Sequence, residues 1–103
     1  PQYMEKLGVR KDAIHGSPSA TCRTLYEVGP TEVGVWTCTT GSFPVNNRPT
    51  TECLHVLEGV FFLTNGSDGT ARRCVPGDTV ILPKGWTGYW DVIEPLKKLW
   101  VIV

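Results

Sequence analysis

Residues 52–92 read ECLHVLEGVFFLTNGSDGTARRCVPGDTVILPKGWTGYWDV, and two spaced patterns lie in this stretch, Glu52-x6-Gly59 and Gly77-x5-Pro83-x-Gly85. Between them, Asn65-Gly66-Ser67-Asp68-Gly69 separates two runs rich in apolar and β-branched residues. Asn-Gly and Asp-Gly supply the left-handed backbone that a tight hairpin needs, so the segment reads as a turn between paired strands. The same three residues from Asn65 form a glycosylation-type triplet, which the turn reading absorbs.

Working outward, short runs of Val, Ile, Thr and aromatic residues recur, bounded by Gly, Pro, Asn and Asp. They predict strands at about 22–28, 33–40, 52–57, 60–64, 71–75, 79–82, 87–93 and 97–103. Gly29-Pro30 breaks the first pair, 42–50 reads as a loop because it carries Pro44, Asn46, Asn47 and Pro49, and Gly59 bends the chain between two strands. About eight short antiparallel strands with almost no helical period indicate an all-β sandwich or barrel. Residues 1–20 lack a sustained period and read as an irregular N-terminal arm packed on a barrel domain of residues 21–103, with one short helix near 3–7.

Strand alternation assigns faces. Glu52, Leu54 and Val56 share one side of their strand, and Cys53, His55 and Leu57 the other. Trp86, Gly88, Trp90 and Val92 share a phase, with Tyr89 and Asp91 facing away. The closing Leu99 to Val103 is apolar on both faces, so it requires cover on both, from the arm or from a second copy of the chain.

Ten basic and ten acidic residues give a formal net charge of zero in 103 residues, and 41% of the chain is hydrophobic. No basic run favours nucleic acid or an anionic membrane as partner, and no apolar run reaches the roughly 20 residues of a membrane span. Cys22, Cys38, Cys53 and Cys74 have no C-x-x-C spacing. They read as small buried hydrophobes of a reduced, cytoplasmic protein rather than as zinc or redox pairs.

The two patterns resemble the core of a cupin, a double-stranded β-helix (jelly-roll) barrel of the RmlC-like type. In cupins the first motif runs G-x5-H-x-H-x3–4-E-x6-G and the second G-x5-P-x-G-x2-H-x3-N, and the three histidines and the glutamate bind one metal. Here the histidine positions fall on Val45 and Asn47, or on Asn46 and Arg48, and on Gly88. The finer likeness is to the small single-domain "cupin 3" group, which includes ureidoglycine aminohydrolase-like domains. It rests on Glu52, Leu57, Glu58, Gly59, Gly77, Asp78, Val80, Pro83, Gly85, Trp90 and Val92, with His55 where Tyr is usual. The metal set of those aminohydrolases also falls on residues such as Asn46, Arg48 and Glu52. The resemblance therefore implies the fold without the metal chemistry, and no cofactor is expected.

Glu52 is the candidate polar group of the barrel interior. Burial disfavours its charge unless a cation such as Arg48 or Arg72 pairs with it, and a carboxyl in an apolar cavity can act as acid or base or can grip a ligand. Trp86 and Trp90 are expected to converge with Glu52 on one cavity at the barrel mouth, beside the gap left by Gly88. Asn47, Arg48 and Trp36 complete the expected ligand-binding set. On the outer face, His55 reads as a buried, hydrogen-bonded histidine, with a Cys53/His55 redox or metal pair as the alternative. The leading reading is a metal-independent barrel that binds a small polar metabolite or sugar in a Trp-lined cavity. Two alternatives stay open: a hydrolase or isomerase with Glu52 as general acid/base, with or without a non-standard metal site, and a structural dimerisation module. A homodimer is the expected assembly.

Overall fold

The computed structural model describes residues 4–103 and shows nine strands and no helix among them. In chain order they are β1 (Glu5–Val9), β2 (His15–Gly16), β3 (Ser19–Val28), β4 (Thr31–Cys38), β5 (Gly41–Val45), β6 (Glu52–Asn65), β7 (Ala71–Cys74), β8 (Thr79–Leu82) and β9 (Gly88–Ile102). All pairings are antiparallel: the strand order β1-β3-β4-β9-β5-β2 forms one path, and β6 joins it through β9 while also pairing β7 and β8.

Two long strands organise the barrel. β9 pairs β5 with its first half, β4 with its second half and β6 along most of its length. The expected strand pairs 52–57 with 60–64 and 87–93 with 97–103 are each one continuous strand. They bend through register shifts between Val56 and Phe61, opposite Lys98 to Val92. Gly59 makes that bend possible: its φ is +92°, and a Cβ there would collide with the Pro95 carbonyl oxygen.

The N-terminal segment adds strands rather than the short helix expected near residues 3–7. Glu5–Val9 pairs with β3 across a bulge at Gly8, and His15–Gly16 pairs with β5; residue 3 lies outside the described residues. The expected loop 42–50 is likewise shortened, because Gly41–Val45 pairs with Gly88–Val92. Pro44 fits there because β2 covers only Gly41 and Ser42, so one flank of the strand at Pro44 has no partner and a missing N–H is tolerated.

The interior follows the period-two rule. Leu54, Val56, Phe61, Leu63, Val80, Leu82, Trp90, Val92 and Leu96 form one buried cluster with Phe43, Cys38 and Cys74. Phe43, Trp90 and Phe61 stack face to face, with centroids 5.9 and 5.0 Å apart. Glu52, Leu54 and Val56 all point inward, as their phase requires.

Candidate functional site

Loop 46–51 is positioned by the turn of the second motif. Pro83 to Gly85 turns back with Gly85 at φ +89°; Gly85 N–H donates to the Arg48 carbonyl at 2.8 Å and Arg48 N–H to the Trp86 carbonyl at 3.0 Å. Asn47 sits in the left-handed region at φ +49°, with its N–H donating to Thr87 Oγ1 at 2.9 Å. The two loops thus clamp each other and swing the Arg48 side chain under the rim, where it is 14% exposed.

There Arg48 Nη1 lies 3.1 Å from Glu52 Oε1, and Lys98 Nζ lies 2.6 Å from Glu52 Oε2. The side chains of Glu52 and Lys98 are 4% and 8% exposed. A buried ammonium and a half-buried guanidinium therefore share one carboxylate, and both of its oxygens are engaged. The Lys98 ammonium also stands 4.7 Å from the Trp36 ring centre and 4.5 Å from that of Trp90. Burial pushes the Lys98 pKa below its ordinary value, and the Glu52 carboxylate works against that shift.

A cavity of about 160 Å³ opens at this point, lined by Arg10, Trp36, Phe43, Val45, Arg48, Trp90 and Lys98. Arg10 caps it, with its guanidinium 4.2 Å from the Phe43 ring centre and bonded to Asp12 at 2.7 and 2.9 Å. A neighbouring cavity of about 180 Å³ shares Trp36 and Lys98 and is completed by Cys22, Glu52, Trp100 and Ile102.

Of the residues singled out from the sequence, the structure brings Arg48, Glu52, Trp36 and Trp90 together. It does not bring Trp86 or Asn47 to them. The Trp86 ring lies over Gly88, in the space that a side chain at position 88 would take, so the expected gap is filled. Trp86 Nε1 donates to Asn65 Oδ1 at 2.8 Å, and its ring lines a separate concavity of about 470 Å³ with Leu63, Arg72 and Leu82. Asn47 is exposed on the loop. Arg72 reaches the Thr79 carbonyl instead of Glu52. On the outer face of β6, His55 Nδ1 lies 3.0 Å from Thr79 Oγ1.

Sequence reasoning missed Arg10, Phe43 and Lys98. The signal for Lys98 was its phase: Leu96, Lys98 and Trp100 alternate on one face, and all three are buried.

The residues do not fit the metal that cupin motifs usually hold. Around Glu52 the partners are a guanidinium and an ammonium, which offer no lone pair and repel a cation. No group of three His, Cys, Asp or Glu side chains that could hold a metal occurs among the described residues. All four cysteines are free, and burial pushes the Cys38 thiol up to about 11. Among the described residues, no helix is long and apolar enough to cross a membrane.

No curated protein sequence matches the chain significantly. Among solved structures, a protein of unknown function from Pseudomonas syringae, of the DUF861 family, superposes with a TM-score of 0.87 at 19% identity. It covers 99% of this chain, which spans only 45% of that protein's length. The EutQ protein of Clostridium difficile gives a TM-score of 0.74 at 19% identity, over 90% of this chain and 68% of its own. A DUF861 family protein from Thermotoga maritima is 30% identical, with a TM-score of 0.63 over 67% of this chain and 76% of its own. The first two likenesses show the fold alone. The family model described as an EutQ-like cupin domain matches residues 25–100, most of the barrel. With both motifs, the barrel topology and that match in agreement, the chain belongs to the EutQ-like cupin family.

Proposed function

We propose that this barrel binds a small polar metabolite without a metal, in the cavity between Trp36, Phe43 and Trp90. The observation that carries the reading is the pair of cations, half-buried Arg48 and buried Lys98, that share the single carboxylate of Glu52 at the wall of an aromatic cavity. Aromatic faces supply apolar area and a few placed polar groups supply direction, the usual division of labour in a ligand site. Glu52 orients the two cations and leaves neither oxygen free for proton transfer to a ligand, which favours binding over the acid/base reading.

A thermal-shift screen of small polar metabolites tests this. A ligand at about 100 times its dissociation constant stabilises the folded state by about 2.7 kcal/mol, a clear upward shift. Trp36→Ala, at a half-buried wall position, is expected to abolish that shift while the circular dichroism spectrum stays β-type. Absence of any shift in the wild-type protein across the screen, or an undiminished shift in Trp36→Ala, would contradict the proposal.

A further inference from the structure

Every polar side-chain atom on the residues that line the 160 Å³ cavity is a donor. Arg10, Arg48 and Lys98 carry N–H groups and no acceptor, and Trp36 and Trp90 offer one indole N–H each. Phe43 and Val45, the other lining residues, have no polar side-chain atom. Charge is unbalanced in the same sense. Arg10 is matched by Asp12, whereas Arg48 and Lys98 have only Glu52 between them, which leaves one excess positive charge on side chains 14% exposed or less. Buried charge calls for a counterion. A second, independent observation points the same way. Trp90 is 2% exposed, and its Nε1 is the one buried side-chain polar atom without a hydrogen-bond partner among the described residues. One residue of the lining thus carries a buried N–H without an acceptor, and an acceptor bearing a single negative charge would also balance the excess cation.

From this donor-only lining we infer that the cavity takes a small monocarboxylate, its carboxylate held by Arg48 and Lys98 and its apolar remainder lying against Trp36 and Phe43. The inference rests on the binding reading above and adds the ligand's chemical class. The guanidinium edge and the ammonium suit the two oxygens of a planar carboxylate. At about 30 Å³ of liquid volume per water, the space holds about five waters, so an acid of a handful of heavy atoms fits. Indole and phenyl walls favour an acid with an apolar or flat remainder over a bare inorganic anion.

Isothermal titration of the full chain with acetate, lactate, pyruvate and benzoate, each against its neutral amide, and with inorganic phosphate and glycerol, tests the inference. At least one carboxylate is expected to bind roughly 10- to 100-fold more tightly than its amide, the discrimination typical of hydrogen bonds to a charged group. Arg48→Gln leaves the Glu52–Lys98 pair intact and is expected to weaken that carboxylate by at least about 10-fold, with Arg48→Lys recovering part of the loss. Glu52→Gln, where it folds, is expected to tighten carboxylate binding, because it removes the competing anion. Glycerol or an amide binding as well as the acids, with no effect of Arg48→Gln, overturns the carboxylate class and leaves the metabolite-binding reading standing. Phosphate binding more tightly than every carboxylate also overturns it. No binding by any of these compounds overturns it too, and only a blank metabolite screen extends that failure to the binding reading.

Discussion

Glu52 holds two cations on side chains that are 14% exposed or less, and its removal leaves them to repel each other. Breaking a buried pair from one side costs about 3–5 kcal/mol, much of a domain's total stability of about 5–15 kcal/mol. Glu52→Gln is therefore expected to lower the unfolding free energy obtained from urea denaturation by that order, and a change below about 1 kcal/mol would show that the pair braces nothing. Glu52 was legible because its phase matched Leu54 and Val56. Lys98 was not, because a lysine is ordinarily solvent-facing and its pairing with Glu52 depends on the register of strands 46 residues apart. Cys38 gives a prediction of known sign. Its folded thiol, pushed up to about 11 from 9.0, keeps a proton that the unfolded chain has released. Its contribution therefore declines as pH rises from about 9 to 11. Lys98 works in the opposite direction, so the quantity to read is the difference between wild type and Cys38→Ala, which should shrink across that window.

At the scale of the element, the bends in β6 and β9 keep the strands that carry Glu52 and Lys98 curled around the barrel interior. Gly59 sits at the centre of that bend with φ +92° and no room for a Cβ beside Pro95. Gly59→Ala is expected to destabilise the barrel by roughly 2–4 kcal/mol, from backbone strain and the clash together, and a neutral result in denaturant would show that the bend relaxes freely. The glycine was legible as a breaker, but the continuity of each long strand was not, because a bulge keeps pairing with a partner that the local sequence does not reveal. For β5, Pro44 and the asparagines that follow it masked a strand that forms only because β9 supplies a partner. Gly88 misled for the opposite reason: an absent side chain suggested open space, and the neighbouring Trp86 ring fills it.

Across the whole molecule, the all-β barrel was readable from spacing and period, because turn residues and alternation are local properties that the barrel merely collects. The assembly is a separate proposal. Leu7, Val9, Leu25, Tyr26 and Val28 lie on the edge strand β1 and its neighbour β3, each more than half exposed. An apolar edge of this kind favours pairing with a second copy. Light scattering coupled to size exclusion is expected to give a dimer mass, with Leu25→Lys and Tyr26→Lys shifting it to the monomer; a monomeric wild type would contradict the proposed homodimer. The central claim concerns the cavity beneath Arg48 and Lys98, and Trp36 and Trp90, which line it, report on it directly. In a proton–nitrogen correlation spectrum, addition of a small metabolite that stabilises the protein should move the indole N–H resonances of Trp36 and Trp90. That of Trp86, held by Asn65 in a separate concavity, should stay in place. Movement of Trp86 with Trp36 and Trp90 unchanged would contradict the account.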